Sequence, residues 1–87
     1  MFLFRVRISG ESLWPDLVPG RTYWATSLGA PKTGDYAVFK GPAGAPEFVV
    51  KKVEGIENGV YDLRGTVSRS ASYKVPKSHI LGRLLGV

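Results

Sequence analysis

Two stretches of this chain hold residue types suited to hydrolytic chemistry. In SGESLWPDL, Ser12 sits in a Gly-x-Ser turn beside Pro15, and in FVVKKVEGI, Lys51 and Lys52 are adjacent on a β-branched run. Successive residues of a strand face opposite ways, so one of the two lysines faces whatever the sheet buries. An inward lysine among valines loses its hydration, and desolvation lowers its pKa. A neutral amine can act as a general base at physiological pH. It can take the proton from a serine hydroxyl, which is otherwise a poor nucleophile. Each stretch alone has a plainer reading. Turn serines commonly bond their own backbone, and a strand lysine can run its stem out to a sheet edge.

The other residues offer less. A Ser-His-Asp arrangement would have to use His79, the only histidine, and KSHILG reads as a turn entering a last strand, where a surface histidine is expected. Glu47, Glu54, Glu57 and Asp62 are scattered over sheet and turn and read as solvated charges rather than a paired-carboxylate site. No Gly-Lys-Ser/Thr phosphate loop and no G-x-G-x-x-G occurs. With no cysteine there is neither a disulfide framework nor a thiolate metal site, and one histidine leaves little for a His-rich metal site. Tyr23, Trp24, Tyr36 and Phe39, interleaved with basic residues, would suit an oligonucleotide-stacking face. Core packing of strands explains the same residues more economically.

The elements that must position these groups read as all-β. Residues 2–8 alternate, with Phe2, Phe4, Val6 and Ile8 on one parity and Arg5 and Arg7 on the other. Residues 9–20 form a loop, whose prolines and glycines leave room for only a short helical turn near Asp16 and Leu17. Strands are expected over 21–26, 35–40, 47–53 and 60–64, and Asn58-Gly59 marks a hairpin between the last two. Residues 65–74 read as irregular and serine-rich, and the last strand lies near 80–85. Six or seven short strands with regular turns suggest a small coiled, partly closed, barrel-like sheet.

At 87 residues and 9.5 kDa the chain supports one domain, taken as residues 1–87. Its 44% hydrophobic and 22% charged content fits a folded, soluble protein. The opening MFLFRVRISG is too short in apolar residues for a signal peptide, and no run approaches a membrane span. The net charge of +5 admits an anionic partner, but the basic residues are scattered and no specific nucleic acid is expected.

Taken together, the blocks resemble a known family. Gly10, Ser12, Leu13, Pro15, Leu17 and Gly20 come first, then Pro31, Gly34-Asp35 and Val38-Phe39, then Val50-Lys51-Lys52-Val53 and Gly55, then Val75-Pro76 and Leu81-Gly82-Arg83. This order is similar to that of the type I signal peptidases and their wider clan of Ser-Lys proteases, which includes the LexA-like repressors. The likeness spans roughly residues 6–86. It implies a serine endopeptidase that cuts an extended peptide after small side chains such as Ala. Ser12 matches the nucleophile and Lys51 the general base. Gly10 stands two before the nucleophile, where some members place a second oxyanion donor, and Leu13 replaces the usual Met beneath the site. Gly34-Asp35 reads as a turn leading into a structural strand.

Several positions depart from the pattern. Asp16 stands where Thr is usual, Arg21 where Asp is common and Lys52 where Arg is usual. The serine-rich block that orients the catalytic lysine is reduced to RGTVSRSASYKVP, leaving Ser68 or Ser70 as the orienting hydroxyl. The membrane anchor of signal peptidases is missing. Either an anchor has been removed, giving a membrane-attached protein, or this is a small soluble, cytoplasmic relative. Two other classes remain open: a non-catalytic module of the same fold that binds peptides or self-associates, and a basic β-barrel that binds nucleic acid.

Overall fold

The structure is a computed structural model that describes residues 2–8, 13–41, 48–66 and 72–87. Gly10, Ser12, Glu47, Ser68 and Ser70 lie outside the described residues. Seven strands form one antiparallel sheet: β1 (Leu3–Arg7), β2 (Thr22–Thr26), β3 (Tyr36–Lys40), β4 (Phe48–Glu57), β5 (Val60–Arg64), β6 (Ser72–Pro76) and β7 (Ile80–Leu84). They lie in the order β1-β2-β7-β3-β4-β5-β6, which leaves β1 and β6 as edges of an open sheet.

The expected strands form, with two differences. Residues 72–74, expected to be irregular, belong to β6, because Tyr73 and Val75 turn inward while Ser72 and Lys74 stay exposed. That alternation covers only the four residues before Pro76, too few to stand out beside a serine-rich run. β4 runs on to Glu57 rather than ending near Val53, through a register irregularity between Val53 and Gly55. Asn58 (φ 52°) and Gly59 (φ 75°) then close a two-residue hairpin with both central residues left-handed, as an Asn-Gly turn requires.

β3 is the middle strand, and its Tyr36, Ala37, Val38 and Phe39 are all buried. A strand buried on both faces needs cover on both sides. Residues directly opposite in an antiparallel ladder share a face. On one face, Val6, Ala25, Val38, Tyr36 and Leu84 form a core that Leu13 and Leu17 of the 13–20 loop cover. On the other, Ala37 and Phe39 pack with Val53, Tyr61, Leu63 and Val75 as β4, β5 and β6 coil over them. Phe39 and Tyr73 meet edge to face, centroids 5.3 Å apart, and the Tyr61 hydroxyl donates to the Pro31 carbonyl at 3.1 Å. Burying each large apolar side chain in these cores contributes about 1.5–3 kcal/mol.

Gly82 on β7 is where the first core closes. A Cβ there would sit 2.5 Å from the Thr26 carbonyl oxygen and 2.9 Å from Phe4 Cζ. The nearer obstacle is backbone and cannot rotate away. Gly82→Ala is therefore expected to destabilise the fold by about 3 kcal/mol, the upper end for overpacking. Urea denaturation checks this, and a change within about 0.5 kcal/mol, the range of an ordinary surface substitution, would contradict it.

Candidate functional site around Lys51

Lys51 lies in mid-β4, directly opposite Ala37 of β3, with Val49 and Val53 on its own parity. That parity matches the second core, so the lysine points where the valines point. Only 7% of Lys51 is exposed. Its Nζ lies 6.0 Å from the centroid of the Tyr73 ring, and among the described residues no carboxylate lies within ion-pair distance. Burial pushes the amine below its ordinary pKa of 10.5, because the charged form loses water without gaining a counter-ion. The register carried one residue past the end of β5 sets Gly65 across from Lys51 on the other side. Gly65 has no side chain to fill that position.

The adjacent Lys52 faces the first core. It is half-buried, opposite Tyr36, and its Nζ lies 6.0 Å from the Tyr36 ring centroid. Both lysines thus contribute to packing, and the buried amine is that of Lys51.

The loop that carries Ser12 is fixed at its base and along its second half. The Ile8 N–H donates to the Arg21 carbonyl (3.0 Å), and the Gly20 N–H donates to the Ile8 carbonyl (2.7 Å). The expected helical turn is present as one bond, from the Leu17 N–H to the Leu13 carbonyl at 2.9 Å. Leu13, next to Ser12 in the chain, is buried in the first core. Two bonds then tie this loop to the far strands. The Tyr36 hydroxyl donates to Asp16 Oδ2 at 2.6 Å, and Thr66 Oγ1 donates to the Trp14 carbonyl at 3.0 Å. Thr66 is one residue past Gly65, so the segment after Ser12 is anchored at the end of β5 that borders Lys51. Burial and the Asp16 carboxylate together raise the Tyr36 phenol above its ordinary range.

Gly34-Asp35 forms the expected turn, with Gly34 in the left-handed region (φ 95°). Asp35 Oδ2 accepts from the Lys32 N–H at 2.8 Å. The Gly34 N–H donates to the Val53 carbonyl and the Val53 N–H to the Asp35 carbonyl, which fixes β3 and β4 in register two residues from Lys51. His79 is exposed, as are Glu54 and Glu57, while Asp62 pairs with Arg64 at 3.4 Å. None of these groups comes together with another as a site.

The sequence reading did not anticipate the Asp16–Tyr36 bond or the Tyr73 ring over Lys51. Asp16 drew notice only as a departure from the pattern that the chain resembles. Tyr73 lay in a segment read as irregular. Compared with protein-family models, with curated proteins and with solved structures, the chain finds no match in any of the three.

Two outcomes are expected. Lys51→Met should stabilise the fold at neutral pH, because burial of Lys51 costs the native state either a desolvated charge or the release of a proton that the unfolded chain keeps. Below the native pKa both states carry the proton, and the native state bears the whole desolvation penalty. Between the lowered native pKa and 10.5 the unfolded state binds more protons, so wild-type stability rises with pH across that window. The advantage of Lys51→Met should shrink accordingly, as read from denaturation curves of both proteins at stepped pH. Tyr36→Phe should lose about 1.5–3 kcal/mol, the contribution of a hydrogen bond to a charged group. Faster amide exchange at Leu17 should accompany that loss.

Proposed function

We propose that the chain is a serine endopeptidase of the Ser-Lys type, with Ser12 as nucleophile and Lys51 as general base. The observation that carries this reading is the Lys51 amine, buried beside Ala37, Val53 and Tyr73 and held below its ordinary pKa. A structural lysine with its stem on a strand normally sends its charge to water. Lys51 instead lies almost wholly within the sheet, and its burial lowers the pKa of the amine, which suits a group that must accept a proton near neutral pH.

In the reaction, neutral Lys51 takes the proton of the Ser12 hydroxyl as its oxygen attacks the peptide carbonyl. Backbone N–H groups of the Ser12 turn stabilise the oxyanion, an effect worth about 3–4 kcal/mol per donor. Gly10, two residues before the nucleophile, leaves that donor to the backbone. Leu13 supports the turn from below. The Lys51 ammonium passes its proton to the leaving amine as the C–N bond breaks, which leaves an acyl-enzyme. Lys51 then takes a proton from water, the hydroxide attacks the ester, and Ser12 leaves with the proton restored. Ser68 or Ser70 orients the lysine, by resemblance to the signal peptidases and LexA-like proteases. No metal or organic cofactor enters these steps. The substrate is an extended peptide with small side chains before the cut. Among the described residues β6 is an edge strand paired only with β5, and its Tyr73 ring centroid lies 6.0 Å from the Lys51 amine, so strand addition there would bring a peptide toward the base.

A second reading has one observation in its favour. Leu13 and Asp16 pack on the Tyr36 face of β3, whereas Lys51 lies on the Ala37 face. A loop held on that side suits a non-catalytic module of the same fold that binds an extended peptide or a second copy of the chain.

A fluorophosphonate probe separates the two. Wild type should be labelled at Ser12, at a rate that rises with pH as Lys51 loses its proton, through a pKa below 10.5. Ser12→Ala should abolish labelling, and Lys51→Ala should slow it by roughly a thousandfold or more. Both variants should unfold cooperatively. Labelling of Lys51→Ala at the wild-type rate would overturn the dyad. An unlabelled wild type that still binds extended peptides would establish the second reading.

A further inference from the structure

We propose that the uncovered face of β1 and β2 binds single-stranded nucleic acid, with a base stacked on Trp24 and phosphates held by Arg5 and Arg7. Of the four aromatics that could form a stacking face, Tyr36 and Phe39 are buried and Tyr23 is half-buried. Trp24 is 54% exposed. It points away from the first core, directly opposite Arg5, whose guanidinium carbon lies 5.9 Å from the ring centroid. Leu3 and Arg7 share that face of β1 and are also exposed. Leu3, Trp24 and Leu85 line a shallow depression of about 510 Å³.

The second core covers this same sheet face over β3 to β6 but stops short of β1 and β2. The row Leu3–Thr26–Arg83–Ala37–Lys51 runs along it from uncovered edge to buried lysine. Charge decides what would cover the uncovered part. β1, β2 and β7 hold Arg5, Arg7 and Arg83 and no acidic residue. Among the described residues Arg5 and Arg7 have no ion-pair partner. A second copy laid on this face would set its own Arg5 and Arg7 against them, so self-association is disfavoured and an anionic partner fits. The Arg5 guanidinium lies over one side of the ring, and Arg7 is exposed two residues along on the same sheet face, so neither charge sits behind an apolar tip. That arrangement matches bases stacked between backbone phosphates better than insertion among lipids. Recognition would be independent of base sequence, since every base has a stacking face.

The test uses the whole chain carrying Ser12→Ala, so that it does not depend on peptidase activity. A fluorescein-labelled oligothymidylate of about twelve nucleotides, within the range of one β-fold site, is titrated by anisotropy while tryptophan emission is followed. Binding at low salt with quenching is expected. Trp24→Ala should weaken it about tenfold, the effect of one lost stacked base. Arg5→Gln with Arg7→Gln should lower the log–log salt slope by about 1.4, two single-strand phosphate contacts at about 0.7 each. Thermal melts show whether each variant is folded, and Trp24→Phe, which keeps a stacking ring, should bind more tightly than Trp24→Ala. Any of three results would overturn the proposal. These are no binding at low salt, equal affinity of Trp24→Ala and wild type, or Trp24-dependent binding to vesicles of anionic lipid without binding to the oligonucleotide.

Discussion

The structure depends on β3 being buried on both faces. A five-residue strand with four consecutive buried side chains cannot lie in a sheet that meets water on one side. The chain must supply cover twice, from different segments. Leu13 and Leu17 do so on the Tyr36 face, and the coiled β4–β5–β6 hairpins do so on the Ala37 face. The sheet therefore coils without closing, and β1 and β6 remain as edges.

The same constraint separates the two adjacent lysines. Because β3 alternates, Tyr36 and Ala37 present their neighbours on β4, Lys52 and Lys51, to different cores. Lys52 packs its stem on a tyrosine at the rim. Lys51 points toward the second core, where its Nζ lies 6.0 Å from the Tyr73 ring centroid. A buried lysine with no carboxylate partner among the described residues is destabilising at neutral pH. Across the sheet, the Asp16–Tyr36 and Thr66–Trp14 bonds hold the first loop to β3 and to the end of β5. The described part of that loop, residues 13–20, is thereby fixed on the Tyr36 face of β3, opposite the face that carries Lys51.

Cover is incomplete at one end. The second core ends before β2, so Trp24 and the arginines of β1 stay in solvent on the face that buries Lys51 further along. The charge of the chain is uneven for the same reason. Of the described carboxylates, Asp16 lies against Tyr36 on the other face of the sheet, and Asp35, Glu54, Glu57 and Asp62 belong to the turn before β3, to β4 and to β5.

Local pattern alone determined most of the strands. Alternation in residues 2–8, the Asn58-Gly59 hairpin and the Gly34-Asp35 turn are encoded within a few residues, where backbone preference and period-two burial act. β6 escaped that reading because its inward Tyr73 and Val75 mean little until β5 stands beside them. The sequence also required that one of Lys51 and Lys52 face inward, since neighbours on a strand cannot share a face. Which of them loses its water was decided by long-range contacts: Ala37 opposite, Tyr73 two strands away, and a glycine position past β5. Likewise, Trp24 and Phe39 are equally aromatic in the sequence. Only the point at which the coiled sheet stops covering its own face leaves one in water and the other in the core.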